Sequence, residues 1–231
     1  MISIQNLTKK YEEKQVLNID QLRIKKGERF GLVGNNGAGK TTLFNLILDL
    51  VKPNTGQVLN NNVPVHQSED WKKHTAAFID EGFLIGYLTP EEYFYFVGEL
   101  RGLNESLVDS WLEEFEVFFN GEVLGQKKYI RNFSKGNQKK VGLVSAFLGN
   151  PQCVILDEPF ANLDPTSQIR FKEIVKKQIE NHTTTFLISS HDLNHVTEVC
   201  ERIVLLEKGL PIKDLTTDSE TFTQLESYFK V

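Results

Sequence analysis

The chain has 231 residues, enough for one large domain, or a core with a subdomain, around a sizeable hydrophobic interior. Hydrophobic residues make up 40% and charged residues 25%, as in ordinary globular proteins, and the formal net charge of −5 excludes a global basic footprint for nucleic acid. No window approaches the ~18 apolar residues of a membrane span, and the opening Met1-Ile2-Ser3-Ile4-Gln5-Asn6 has no apolar signal core, so action at a membrane requires another subunit to cross it.

Residues 1–30 alternate in short strand-like pieces, with a turn at Lys26-Gly27-Glu28. Arg29-Phe30-Gly31-Leu32-Val33 reads as a strand and residues 42–48 as a helix. Between them stands Gly34-Asn35-Asn36-Gly37-Ala38-Gly39-Lys40-Thr41-Thr42, which fits the phosphate-cradling loop G-x-x-x-x-G-K-[ST]. Its glycines let backbone N–H groups approach phosphate oxygens, and the following helix N-terminus adds partial positive charge. Lys40 is placed to bridge the β- and γ-phosphates of a nucleotide, and the Thr41 hydroxyl to ligate Mg²⁺.

Residues 53–66 carry a turn-rich pair of short strands, marked by Pro53-Asn54-Thr55-Gly56 and Asn60-Asn61-Asn62. Residues 84–150 change character and read as helical. Thr89-Pro90-Glu91-Glu92 joins a Thr N-cap to a proline and a glutamate in the first turn, and Gly102 closes that helix. A second helix is expected over 105–119 and a third after Ser134, with the apolar stretch 141–149 as a buried helix. Four successive aromatics, Tyr93-Phe94-Tyr95-Phe96, cannot all face one core, because helical neighbours are ~100° apart. With Phe83-Leu84-Ile85-Gly86-Tyr87-Leu88 ahead of them, they predict an apolar patch for a partner.

The α/β pattern then returns. Cys153-Val154-Ile155-Leu156-Asp157-Glu158 is a buried strand ending in two carboxylates, and the carboxyl edge of such a sheet is where ligands bind. Asp157 is suited to hold Mg²⁺, directly or through water, and Glu158 to polarise the water that attacks the γ-phosphate. Asp164-Pro165 opens a helix to about residue 180, residues 184–188 form the next strand, Asp192 caps the helix after it, and residues 203–206 form a late strand. Strands alternating with helices argue for a largely parallel sheet, split by a helical insertion and led by a small strand-rich piece. Cys153 and Cys200 read as buried free thiols of a reducing compartment.

Taken together the chain resembles the nucleotide-binding subunits of ABC transporters over roughly residues 1–210. Beside the phosphate loop and Asp157-Glu158, Phe133-Ser134-Lys135-Gly136-Asn137 sits where the family's L-S-G-G-Q signature belongs, and Ala161-Asn162-Leu163-Asp164 looks like its D-loop. Ser189-Ser190-His191 looks like its switch histidine, and Ala77-Phe78-Ile79-Asp80-Glu81 falls at its Q-loop. Tyr11 falls where an aromatic stacks on adenine, and His195 is assigned to structure. Two departures stand out. The Q-loop carries Glu81 (Asp80 being the other candidate for the equivalent position) in place of Gln, still able to bind Mg²⁺ or its water. The signature carries Lys135 for a glycine and Asn137 for Gln. Lys135 adds a cation near phosphate or points to solvent, and Lys139 and Lys140, near the start of the signature helix, are expected at the solvated surface or as a source of positive potential near ATP.

The resemblance implies an α/β P-loop fold of RecA-like type. The core is expected over 1–83 and 151–212, the helical subdomain over 84–150 and a tail over 213–231. It implies ATP and Mg²⁺ as ligands and a catalytic set of Lys40, Glu158 and His191. It also implies a head-to-tail homodimer, or heterodimer with a paralogue, in which the phosphate loop of one chain faces Ser134 and Gly136 of the other. The implied partner is a separate membrane permease, with the chain on the cytoplasmic face and no nucleic acid bound. The Glu at the Q-loop and the Ser-Lys-Gly signature are similar to bacterial two-gene systems, many of them exporters. Two alternatives are a soluble ABC-type ATPase acting on ribosomes or DNA and a regulatory module without turnover. The first usually carries two such domains or a long coiled coil, and the second is opposed by the intact Lys40, Asp157, Glu158 and His191.

Overall fold

The computed structural model describes residues 1–181 and 184–229. In chain order, β1 (Ile2–Tyr11) and β2 (Lys14–Ile24) form a hairpin, β3 (Arg29–Val33) leads into α1 (Lys40–Ile47), and β4 (Thr55–Asn60), β5 (Val63–Pro64) and β6 (Thr75–Phe78) follow. Next come α2 (Pro90–Leu100), α3 (Glu105–Leu112), α4 (Glu116–Phe119) and α5 (Lys135–Ser145). The chain then runs through β7 (Cys153–Leu156), α6 (Pro165–Asn181), β8 (Thr185–Ser190), α7 (Leu193–Val199), β9 (Arg202–Glu207), β10 (Leu210–Thr216) and α8 (Thr221–Phe229).

The strands make two sheets, one of four strands in the order β2-β1-β4-β5 and one of six in the order β10-β9-β3-β8-β7-β6. The first is antiparallel. In the second, β9, β3, β8, β7 and β6 are all parallel and β10 returns antiparallel at the edge. Alternation along each buried strand sends side chains to two separate cores. On β7, Val154 and Leu156 face the helical side with Phe94, Phe147 and Phe186, while Cys153 and Ile155 face the small sheet and α1 with Ile4, Leu17 and Phe44.

The first 30 residues are longer strands than the sequence predicts, of 10 and 11 residues. What reads as a break is a kink: Asn6 takes φ 47, and the pairing of β1 slips between Gln5 and Thr8 and again between Lys9 and Lys10. The expected helix over 105–119 is divided into α3, a 3₁₀ turn Glu113–Phe115 and α4. Leu112, Phe115, Phe118 and Phe119 all reach the core, at the i, i+3, i+6, i+7 spacing of one helical face. Helix α5 covers 141–145 of the apolar stretch 141–149; the remainder is turn, buried over 146–148 and exposed at Gly149. At α2 the Thr89 hydroxyl accepts from the Glu92 N–H and the Glu92 carboxylate accepts from the Thr89 N–H, with Pro90 in the first turn, as the sequence predicts.

The sheet also extends past the expected boundary at residue 213, because β10 runs to Thr216. Pro211 suits it to an edge, where one lost N–H donor is tolerated, and its outward side chains hide the buried-strand signal. Helix α8 then packs on α7 and buries Leu225 completely.

Candidate active site

Parallel pairing brings the carboxyl ends of β3, β8, β7 and β6 to one edge, with Val33 opposite Ser190 and Leu156 opposite Ile188. The chain therefore delivers the phosphate loop, Asp157-Glu158, His191 and Asp80-Glu81 to a common rim. The loop closes on α1 through Gly39, whose φ of 108 and predicted Cβ contact of 2.8 Å with the Val16 carbonyl both require glycine. The cleft is walled by Tyr11, Lys14, Val16, the loop from Asn36 to Thr42, and Glu158. Tyr11 stands half-exposed at its mouth, with Lys9 Nζ 5.0 Å above the ring.

Lys40 is 6% exposed and folds over its own loop, donating to the Gly34 carbonyl at 2.6 Å. Its ammonium lies 3.1 Å from Glu158 Oε1. The other oxygen, Glu158 Oε2, lies 2.8 Å from His191 Nδ1. An ionised carboxylate only accepts, so this contact assigns the neutral imidazole's proton to Nδ1 and leaves Nε2 as an acceptor. Glu158 is thus held between a lysine and a histidine.

Asp157 is the buried member of the pair at 5% exposure, and burial pushes its carboxyl pKa up against the opposing bonds from Ser189 and Thr41. The Thr41 hydroxyl donates to Oδ2 and the Ser189 hydroxyl to Oδ1. This hydroxyl–carboxylate pair, at a helix N-terminus beside a phosphate loop, has the oxygen chemistry that fits Mg²⁺, which takes one or two protein oxygens and completes its shell with phosphates and water. Among the described residues no group of three or more His, Cys, Asp or Glu could hold a metal ion.

Glu81, the other residue expected to bind Mg²⁺ or its water, lies against a cation. Its Oε1 lies 3.7 Å from Lys139 Nζ, while Asp80 accepts from the Gly82 N–H and starts the 3₁₀ turn Glu81–Phe83. Lys139 and Lys140 correct the surface expectation: they are 5% and 3% exposed. From Lys139 onward helix α5 is buried on every side, so both adjacent lysines, ~100° apart on the helix, are enclosed, Lys140 toward Glu122 at 3.4 Å. Burial pushes the Lys139 ammonium pKa down, opposed by Glu81, Glu158 and Asp157.

Ser134 caps α5, accepting from the Asn137 N–H at 3.2 Å; Ser134 and Lys135 are exposed, and Gly136 and Asn137 partly so. Gly136 lies against the D-loop, where an added Cβ would meet the Asn162 carbonyl at 2.9 Å. Asp164 accepts from the Ser167 N–H and hydroxyl, which hold its carboxyl below the usual range. His195 is structural: its ring stacks on Phe160 at 4.5 Å. Ser189 is the site residue that sequence reasoning missed. It binds both Asp157 and the Glu158 N–H, at 2.9 Å for the latter, and its signal was a fully buried hydroxyl ending an apolar strand.

Comparison with known proteins agrees with this geometry. The ABC transporter family model matches residues 17–161. An ABC transporter ATP-binding protein of Bacillus subtilis, YhaQ, is 33% identical over 226 residues, covering 92% of this chain and 70% of that protein. Among solved structures, an ATP-binding subunit of an ABC transporter superposes with a TM-score of 0.85 at 28% identity, covering 100% of this chain and 98% of that one. The dimeric ABC transporter cassette MJ0796 gives 0.84 at 25% identity, over 95% of this chain and 100% of the other. A mixed α/β cassette with a phosphate loop, paired carboxylates and a histidine on one sheet edge, matched by family model, relatives and fold alike, belongs to the ATP-binding proteins of ABC transporters, a family of ATPases.

Proposed function

We propose that this chain, as a single ABC-type domain with residues 84–150 as its helical subdomain, binds and hydrolyses Mg-ATP and couples dimer closure to substrate movement, in the export direction, through a separate membrane permease. The observation that carries the reading is the convergence of Lys40, Thr41, Asp157, Glu158 and His191 on one sheet edge. Loop N–H groups and Lys40 bind the phosphates, and Tyr11 stacks on the base. Thr41 and Asp157 would hold Mg²⁺, which would supply neutralisation of phosphate charge when bound. A phosphate that draws Lys40 toward itself frees Glu158 Oε1 to accept the proton of a water; the water oxygen bonds to the γ-phosphorus as the bond to the bridging oxygen of ADP breaks. His191, through its Nδ1 contact, fixes the Glu158 side chain and leaves Nε2 free to accept from a water.

The exposed signature, with Ser134 and Lys135 at the N-terminus of α5, supports completion of the site by a second subunit, either a copy or a paralogue. Phe83, Tyr87 and Leu50, exposed by 63%, 70% and 51%, support docking of an apolar helix from the permease. Among the described residues no helix is long and apolar enough to cross a membrane; the place assigned to the chain, on the cytoplasmic face beside the permease, rests on the family.

Glu158→Gln tests the reading by Mg-ATP binding and size-exclusion light scattering beside wild type. The variant keeps ATP affinity, loses turnover and forms an ATP-dependent dimer. Binding without dimerisation indicates that closure requires a paralogue or the permease, and loss of ATP binding overturns the reading built on Gly34 to Thr42.

A further inference from the structure

Lys139 is a buried cation that the reaction described above does not use. It lies on α5, five residues beyond the signature serine, and its Nζ donates to the backbone carbonyl of Glu158 at 2.9 Å. Glu158 has φ 48, in the left-handed region, where a side chain costs about 1–2 kcal/mol and persists only if its surroundings hold it. Both peptide groups of the residue are held: its N–H donates to Ser189 Oγ at 2.9 Å, and its carbonyl accepts from Lys139 Nζ at 2.9 Å and, more loosely, from the Ala161 N–H at 3.2 Å. These bonds fix the backbone from which the carboxylate reaches Lys40 at 3.1 Å and His191 at 2.8 Å, with Lys139 the only one of them carrying a charge. Glu81 supplies the countercharge that a buried ammonium needs, at 3.7 Å, in ion-pair range but beyond a hydrogen bond.

We propose that Lys139 is a positioning residue for Glu158: its ammonium holds the unusual backbone of the base, and its ion pair with Glu81 joins that hold to the turn that carries Phe83. The proposal rests on the reading of Glu158 as the base. It gives the Glu81 carboxylate a task in this chain, stabilising a cation that binds the catalytic peptide. It also places one side chain between the signature helix, the turn at Glu81 and the hydrolytic centre.

The test separates the hydrogen bond from the charge. Lys139→Met removes both and strands Glu81, so it is paired with Glu81→Gln, which removes the stranded charge. The double variant K139M/E81Q is expected to fold, with a thermal midpoint within a few degrees of wild type. Its kcat for Mg-ATP should fall about 10–100-fold, the range for lost supporting contacts around catalytic groups, with KM within about threefold. Placed on Glu158→Gln, the same pair of changes should alter the residual single-turnover rate by less than about twofold, because Lys139 acts through the group already removed. Wild-type kcat in K139M/E81Q, or an undiminished 10–100-fold loss on the Glu158→Gln background, overturns the proposal while leaving Glu158 as base. Wild-type turnover in Glu158→Gln alone overturns the reading of the site and the proposal with it.

Discussion

Lys40→Met isolates the charge that the site sets against Glu158. The ammonium lies 3.1 Å from Glu158 Oε1, with side-chain exposures of 6% for Lys40 and 24% for Glu158, and it also donates to the Gly34 carbonyl at 2.6 Å. Breaking a fully buried pair costs about 3–5 kcal/mol and an exposed one about 0–1 kcal/mol. With one partner buried and the other partly wet, the loss is about 2 kcal/mol, or about 4–8 °C in Tm for a chain of this size. Thermal unfolding without nucleotide, on K40M, E158Q and the double variant, measures it. Because Glu158→Gln removes the charge that Lys40 offsets, adding K40M to it should cost about 1 kcal/mol less than K40M alone. The deficit of K40M should also narrow in acid. Burial already raises the Asp157 pKa, and loss of Lys40, which lowers it, raises it further. The native state then takes up its proton before the unfolded chain does as pH falls, so stability relative to wild type recovers. A K40M midpoint within about 1 °C of wild type, or an equal loss with and without the Glu158 charge, refutes the reasoning.

Phe83→Asp or Tyr87→Asp should leave basal ATP hydrolysis intact and abolish its coupling to the membrane partner; normal transport by either variant removes the docking surface from the account. Asp164→Ala should destabilise the protein by about 1 kcal/mol, the usual cost of a lost N-cap, read by denaturant unfolding. Its carboxyl is held below the unfolded value by Ser167, so its contribution is present above the unfolded pKa and lost as pH falls through the folded one. An Asp164→Ala penalty that does not shrink in acid counts against the cap. Cys153 and Cys200 should resist a thiol reagent in the native state and react on unfolding, because complete burial pushes the Cys153 thiol up to about 12 and the Cys200 thiol up as well. Rapid native labelling of either would show that the sheet face or α7 opens readily.

What the sequence determined by itself was local chemistry. The phosphate loop is contiguous, and its glycines, lysine and threonine work through backbone and side chains within nine positions. The Thr89 capping box and the Asp157-Glu158 strand end are likewise spelled out over a few residues. Periodicity placed β3, β7, β8 and β9, because a strand buried on both faces reads as an apolar run. Tertiary structure decided what depends on distant partners. Lys139 looks like a surface lysine in its own stretch; only the docking of α5 against the Glu81 turn and Phe78 buries it and turns it onto the Glu158 carbonyl. Ser189 reads as one more polar residue after a strand until the parallel register sets β8 beside β7 and aims its hydroxyl at Asp157. The edge strand β10 follows the same logic: pairing with β9 selected it, and that force does not act within the segment it shapes.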